Sequence, residues 1–269
     1  MPELPEVETT VRGLAPVLEG QVIERVTLHR ADLRRPFPQD LGQRLTGARV
    51  TGMGRRAKYG LIETDRGDTL VFHLGMSGRW RIDPEEIGKH DHCIIETAKH
   101  LLALNDPRRF GSLDLVPTGE LAEWPAFAVL GPEPLGADFS ARHLAAAFKG
   151  RAAPVKALLL DQRVVAGLGN IYVCEALYLA RIAPTRPGGG ITRPRLEKLV
   201  AAIREVLEAA IEAGGSTLRD YARPSGELGY FAKQWRVYGR EGEPCECGGL
   251  VERRVDSGRS TFWCPKCQR

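Results

Sequence analysis

The chain has 269 residues with a formal net charge of +4, and 43% of its residues are hydrophobic against 27% charged. Those proportions describe a globular chain and exclude a disordered one. No apolar run approaches the length of a membrane span and no basic-then-apolar leader opens the sequence, so a cytoplasmic protein with no membrane partner is expected.

The opening stretch, MPELPEVETT, sets three carboxylates and two prolines in its first eight residues, at a position where chains ordinarily fray. From Glu6 to about Glu19 the apolar residues Val7, Val11, Leu14 and Leu18 share one helical face. Segments of alternating polarity follow: QVIERVTLHR, GARVTGMGRRAKYGLIETD, DTLVFHLGMSGRWRI, DHCIIETAKHLLALND and RRFGSLDLVP. Gly, Asp and Pro punctuate them, the pattern of half-buried antiparallel strands. The expectation is an α+β chain that begins with a β-sandwich and its leading helix, residues 1–130.

The segment LGPEPLGADFS reads as a hinge, with residues 131–140 as the linker. A helical texture then covers 141–230: SARHLAAAFKG, APVKALLLDQRVVAG, NIYVCEALYLARI and TRPRLEKLVAAIREVLEAAIEAGG. The last has a strong 3.6-residue period and a Gly-Gly stop. Residues 231–269 form a cysteine-bearing tail.

Four of the six cysteines, Cys245, Cys247, Cys264 and Cys267, crowd into that tail. Two cysteine pairs joined by a hairpin-length spacer suit a tetrahedral zinc ribbon with one structural Zn2+; reduced, non-ligand thiols are the alternative. A tail this small buries little core, so a metal would hold the hairpin together. Within the spacer, SGRSTFW reads as a tight turn at Ser257-Gly258 with Arg259 at or just after the tip. From Phe231 onward eight basic side chains face five acidic ones. Such a hairpin suits a phosphate backbone or is simply solvated.

In AGLGNIYVCEAL, Gly167 and Gly169 precede a helix with Asn170 expected as its cap. A glycine turn before a helix offers unpaired N–H groups to an anion, although a corner with no ligand is the commoner meaning. Met76 in HLGMSG lies between two glycines, and Arg108, Arg109 and Phe110 follow the Asp-Pro of NDPRRFG. Exposed apolar wedges of this kind unstack DNA; loops folding back into the core would explain them equally.

Taken together these stretches resemble the formamidopyrimidine-DNA glycosylase family over essentially the whole chain. The matching pieces are PELPEVET, RRAKY (55–59), HLGMSG, KHDH (89–92), DPRRFG, LLLDQRVVAGLGNIYVCEAL, GGSTLRD, GYFAKQWRVYGREGEPC and GRSTFWCPKCQ. The one departure is Cys245-Glu-Cys247, where the family has two residues between the cysteines. The resemblance implies a β-sandwich, then a helical domain with a helix–two-turn–helix, then a zinc ribbon. It also implies a bacterial base excision repair enzyme, monomeric and nucleoid-associated through DNA binding. Its expected substrate is duplex DNA carrying 8-oxoguanine or formamidopyrimidines.

By the same resemblance, Pro2 becomes the nucleophile once Met1 is removed. An α-amino group has a pKa of about 8 against about 10.4 for lysine, so an appreciable fraction is neutral and able to attack a sugar C1′. Glu3 is then the general acid and base, Glu6 supports the site, and Lys58 and Arg259 complete the catalytic set. His90, Arg108, Arg151 and Asn170 contact the DNA backbone or the orphaned base. Met76, Arg108 and Phe110 refill the void left by an extruded nucleotide, and residues 222–231 cover it. Two alternatives are an endonuclease VIII-like glycosylase for oxidised pyrimidines, whose members typically read Pro-Glu-Gly-Pro-Glu at the tip, and a non-catalytic damaged-DNA-binding protein. The second need not keep Pro2, Glu3 and Lys58.

Overall fold

Helix formation begins at the very start of the chain because Glu3 and Glu6 cap each other. In the computed structural model, which describes residues 2–216, 224 and 230–269, α1 spans Leu4–Leu18. The backbone N–H of Glu3 donates to Glu6 Oε2 at 2.8 Å, and the Glu3 carboxylate faces the Glu6 amide in a capping box. Pro5 occupies the first turn, where its missing N–H costs nothing. Leu4, Val7, Val11, Leu14 and Leu18 are buried.

The strands that α1 covers are β1 (Ile23–Leu28), β2 (Val50–Arg56), β3 (Tyr59–Thr64), β4 (Asp68–His73), β5 (Arg79–Ile82), β6 (Asp91–Thr97), β7 (Leu101–Asn105) and β8 (Ser112–Pro117). They form two four-stranded antiparallel sheets, ordered β1-β6-β7-β5 and β2-β3-β4-β8. Val11, Leu14 and Leu18 of α1 meet Ile23, Ile95 and Leu104 of one sheet and Val50, Ile62 and Phe72 of the other in one core. Phe72 and Trp80 join the sheets edge-on, ring centroids 5.8 Å apart. Gly60, opposite Phe72 in the register, leaves room for that ring: a Cβ there would lie 2.0 Å from Phe72 Cζ. The expected sandwich with a leading helix is therefore present. Two short helices, α2 (Leu41–Leu45) and α3 (Pro125–Ala128), are additions; five and four residues are too few to show a period.

The chain divides into two compact units, Met1–Ala128 with Ala213–Ala232, and Val129–Glu212 with Lys233–Arg269. The second unit holds α4 (Ala141–Phe148), α5 (Val155–Leu160), α6 (Asn170–Leu179) and α7 (Arg193–Glu212), then the hairpin β9 (Glu252–Asp256) and β10 (Arg259–Trp263). Ser140 caps α4 by accepting from the His143 amide at 3.2 Å. The sequence favours a helix running on through VVAG, but α5 stops at Leu160. The Gln162 side chain explains the stop: its Nε2 donates to the carbonyls of Leu160 and Leu168, at 3.1 and 2.9 Å, and its Oε1 accepts from Gly167 N at 2.8 Å. These bonds satisfy a turn that a longer helix would abolish. α6 is buried from Ile171 to Tyr178, which makes it the central helix of this unit. Among the described residues no helix is long and apolar enough to cross a membrane.

Candidate active site, nucleic-acid interface and metal centre

The amino tip is held down. Pro2, Glu3 and Glu6 are all buried, and Glu6 accepts from two backbone amides, Glu3 N through Oε2 and Ser216 N through Oε1, both at 2.8 Å. One carboxylate thereby fixes the Glu3 backbone and ties it to Ser216 in the segment after α7.

Lys58 lies on the two-residue connection between β2 and β3, closed by the pair Arg56 and Tyr59. Its neighbour Ala57 has φ 53°, a left-handed conformation that costs an L-residue roughly 1–2 kcal/mol. Arg55 offsets that cost by donating to the Ala57 carbonyl at 2.9 Å while its Nε reaches Glu8 of α1 at 2.8 Å. Burial first, then the positive charges of Lys58, Arg34 and Arg35, push the His73 imidazole down to about 4. His73 is accordingly neutral, with Nδ1 accepting from Gly75 N at 3.0 Å.

His73 opens the loop that carries Met76. This loop and the 105–111 loop touch backbone to backbone: a Cβ on Gly75, whose φ is +60°, would lie 2.3 Å from the Phe110 carbonyl carbon. Asp106, fully buried, fastens them. Its carboxylate accepts from Ser77 Oγ at 2.7 Å and Gly111 N at 2.8 Å, and Ser77 Oγ accepts from Arg108 N at 3.2 Å. The Asp106 amide donates to the His90 carbonyl at 2.9 Å, and its own carbonyl meets His92 Nε2 at 2.9 Å. Arg108 and Phe110 project into solvent, Phe110 at 44% exposure, with the guanidinium 5.3 Å from the ring centroid. Met76 and His90 are half-buried. The first unit thus brings Met76, His90, Arg108 and Phe110 onto one hydrogen-bonded scaffold.

In the second unit, Asn170 corrects an expectation. Gly169 is the cap residue of α6, and Asn170, the first residue inside the helix, makes no capping bond. Its Nδ2 instead donates to the Ser260 carbonyl at 2.8 Å, and its Oδ1 is buried without a hydrogen-bond partner. Lys156 reaches the same strand, its Nζ donating to Ser260 O at 3.0 Å and Thr261 Oγ1 at 2.7 Å. Arg259 stands exposed at the hairpin tip, after Ser257 and Gly258 with φ 49° and 76°, both left-handed as a tight two-residue turn requires. Lys156, Asp161, Asp256 and Arg259 line one cavity of ≈ 580 Å³. Arg151 is exposed, and its charge helps to lower Asp161, after the hydrogen bond from Arg163. The covering segment expected over residues 222–231 lies, except for Pro224, Tyr230 and Phe231, outside the described residues.

The four tail cysteines converge, every sulfur within 4.8 Å of the others. Cys245 and Cys267 are 3.9 Å apart, Cys247 and Cys264 3.4 Å. A tetrahedron of thiolates about 2.3 Å from zinc has edges of about 3.8 Å, so the donor set fits a metal ion despite the one-residue knuckle. Around it lies only a small core that includes Tyr178, Val237, Val251 and Phe262, too little to fix a hairpin unaided.

Comparison with known proteins shows the family to which these elements belong. Residues 1–113 match the formamidopyrimidine-DNA glycosylase N-terminal domain, and residues 130–222 match the formamidopyrimidine-DNA glycosylase H2TH domain. The chain is 74% identical to the formamidopyrimidine-DNA glycosylase of Novosphingobium aromaticivorans over 100% of both chains. It superimposes on the MutM (Fpg) protein of Thermus thermophilus with a TM-score of 0.90 and 44% identity, covering 99% of this chain and 98% of that one. A Lactococcus lactis Fpg mutant, G226P, in complex with a Fapy-dG containing DNA gives 0.93 and 34%, with complete coverage of both. The fold and the family are those of a DNA glycosylase with abasic-site lyase chemistry. The chain belongs to the formamidopyrimidine-DNA glycosylase family.

Sequence reasoning passes over Asp106, Ser77, Gln162 and Lys156, the residues that hold the others in place. Asp106 carries a weak signal, since an aspartate before a turn proline often bonds nearby backbone. A buried lysine carries none.

Proposed function

We propose that this chain removes oxidised purines, 8-oxoguanine and formamidopyrimidines, from duplex DNA through an imine formed at Pro2, and then cuts the strand. With Met1 removed, the neutral Pro2 nitrogen attacks C1′ of the damaged nucleotide. The C1′–N9 bond breaks, its electron pair leaves with the base, and Glu3 protonates the sugar oxygen as the ring opens. Loss of a C2′ proton expels the 3′-phosphate, a second elimination expels the 5′-phosphate, and water releases the sugar fragment and restores the amine. Glu6 holds Glu3 by its amide, Lys58 assists base loss, and Arg259 grips the lesion phosphate during the second elimination.

Extrusion of the nucleotide leaves a void. Met76, Arg108 and Phe110 fill it, with Arg108 addressing the orphaned cytosine, while His90, Arg151 and Asn170 bind backbone phosphates. Cys245, Cys247, Cys264 and Cys267 hold one Zn2+, whose contribution is to cross-link the hairpin that presents Arg259. A monomer, acting on chromosomal DNA in the cytoplasm, suffices for every role named.

The observation that carries this reading is the buried, doubly anchored tip: Glu6 fixes the amide of Glu3 beside Pro2 in a chain whose family acts on DNA. Borohydride trapping on duplex DNA containing 8-oxoguanine tests it. Processed protein should yield a covalent adduct that Pro2→Gly removes; no adduct from processed protein would favour a binding protein.

A further inference from the structure

Helix α6 ends in an unusual way. Ile182 N donates to Leu177 O and Arg181 N to Tyr178 O, each at 3.0 Å, the two bonds of a Schellman motif. The residue that must turn left-handed in that motif is ordinarily glycine, and here it is Arg181, φ 56°. A charged, Cβ-bearing residue at such a position is strained, and strain of this kind points to a use for the side chain.

The side chain goes to a sulfur. Arg181 Nη1 donates to Cys267 Sγ at 2.7 Å, and its guanidinium carbon lies 4.7 Å from the centroid of the Tyr178 ring. The Tyr178 hydroxyl is 3.3 Å from Cys245 Sγ. One stacked pair at the C-terminal end of α6 therefore reaches one cysteine of each knuckle. Backbone bonds fix the same place: Arg269 N donates to Arg181 O at 3.3 Å, and Gln268 links Ile182 O to Cys264 N through bonds of 2.9 and 2.8 Å.

We infer that Arg181 and Tyr178 are outer-shell residues of the four-cysteine metal site, holding the metal by neutralising and orienting its thiolates. Four thiolates and a divalent ion carry two net negative charges in a poorly solvated corner. A guanidinium N–H on one sulfur and a phenolic O–H on another spread that charge and fix the orientation of each sulfur. Tyr178 matters most at Cys245, which belongs to the one-residue knuckle. This rests on the reading of the cysteines as a zinc site.

The experiment uses the full zinc-loaded chain and a chromophoric zinc chelator in excess. Zinc content of the unmodified protein comes first; well below about one equivalent would overturn the zinc reading itself. Release rates of Arg181→Gly and Tyr178→Phe then test the present inference. Glycine relieves the left-handed strain, so a merely structural Arg181 predicts equal or slower release. The inference predicts release about tenfold faster in each variant. Rates within about threefold of the unmodified chain in both variants would overturn it; should Arg181→Gly fail to fold, Tyr178→Phe alone decides by the same limits.

Discussion

The Ser77 hydroxyl donates to Asp106 at 2.7 Å, and this bond ties the loop bearing Met76 to the loop bearing Arg108 and Phe110. A buried carboxylate serving several donors is costly to disturb. Asp106→Asn should lower excision of 8-oxoguanine by about tenfold and stability by about 1–3 kcal/mol. Borohydride trapping on a preformed abasic site, where no base has to be extruded, should fall much less. Equal losses on both substrates would show that Asp106 serves folding alone.

Phe110 makes the opposite prediction for stability. At 44% exposure it contributes little to the core, so Phe110→Ala should change the unfolding free energy by no more than about 0.5 kcal/mol. Excision from duplex DNA should nevertheless drop by about tenfold. Stopped-flow fluorescence of 2-aminopurine beside the lesion checks whether the loss lies in extrusion; an unchanged trace would remove Phe110 from the void-filling set.

His73 gives the fold a pH dependence of defined sign. Its folded pKa of about 4 lies below the ordinary 6.5. As pH falls below 6.5 the unfolded chain takes up a proton that the native chain refuses. Stability conferred by the neutral imidazole is therefore complete above that value and is lost on the way to about 4, by about 3 kcal/mol in all. Urea unfolding of His73→Gln at about pH 7 and about pH 4.5 should show a smaller pH difference than the unmodified chain. An identical difference would mean that other groups set the acid sensitivity.

Much of this molecule is legible in its sequence, and the limits of that legibility have physical causes. Alternation and punctuation reveal the sandwich, the 3.6-residue stripe reveals α1 and α7, and cysteine spacing reveals the cluster of four sulfurs. These signals are local. The end of α5 depends on Gln162 reaching carbonyls on both sides of a turn. Asn170 reads as a cap until the hairpin strand supplies the Ser260 carbonyl ninety residues away. Asp106, Lys156 and Arg181 are ordinary surface residues by type; only the fold buries the first two and aims the third at a sulfur. Met76, Arg108 and Phe110 draw notice in the sequence because Met, Arg and Phe are unusual on loops bounded by glycine and proline, whereas the scaffold beneath them gives no such signal.

Arg259 at the hairpin tip should act on binding through charge. If it pairs with a lesion phosphate, Arg259→Ala should reduce the slope of log affinity against log salt by about one and weaken strand cutting more than base release. An unchanged slope would remove Arg259 from the phosphate contacts.

Proteolysis and mass spectrometry of the borohydride-trapped complex tests the central claim most directly, by locating the atom joined to deoxyribose. The account predicts a single adduct on a peptide that begins at Pro2, attached through its nitrogen. An adduct on Lys58, or equally fast trapping by protein that still carries Met1, would contradict it.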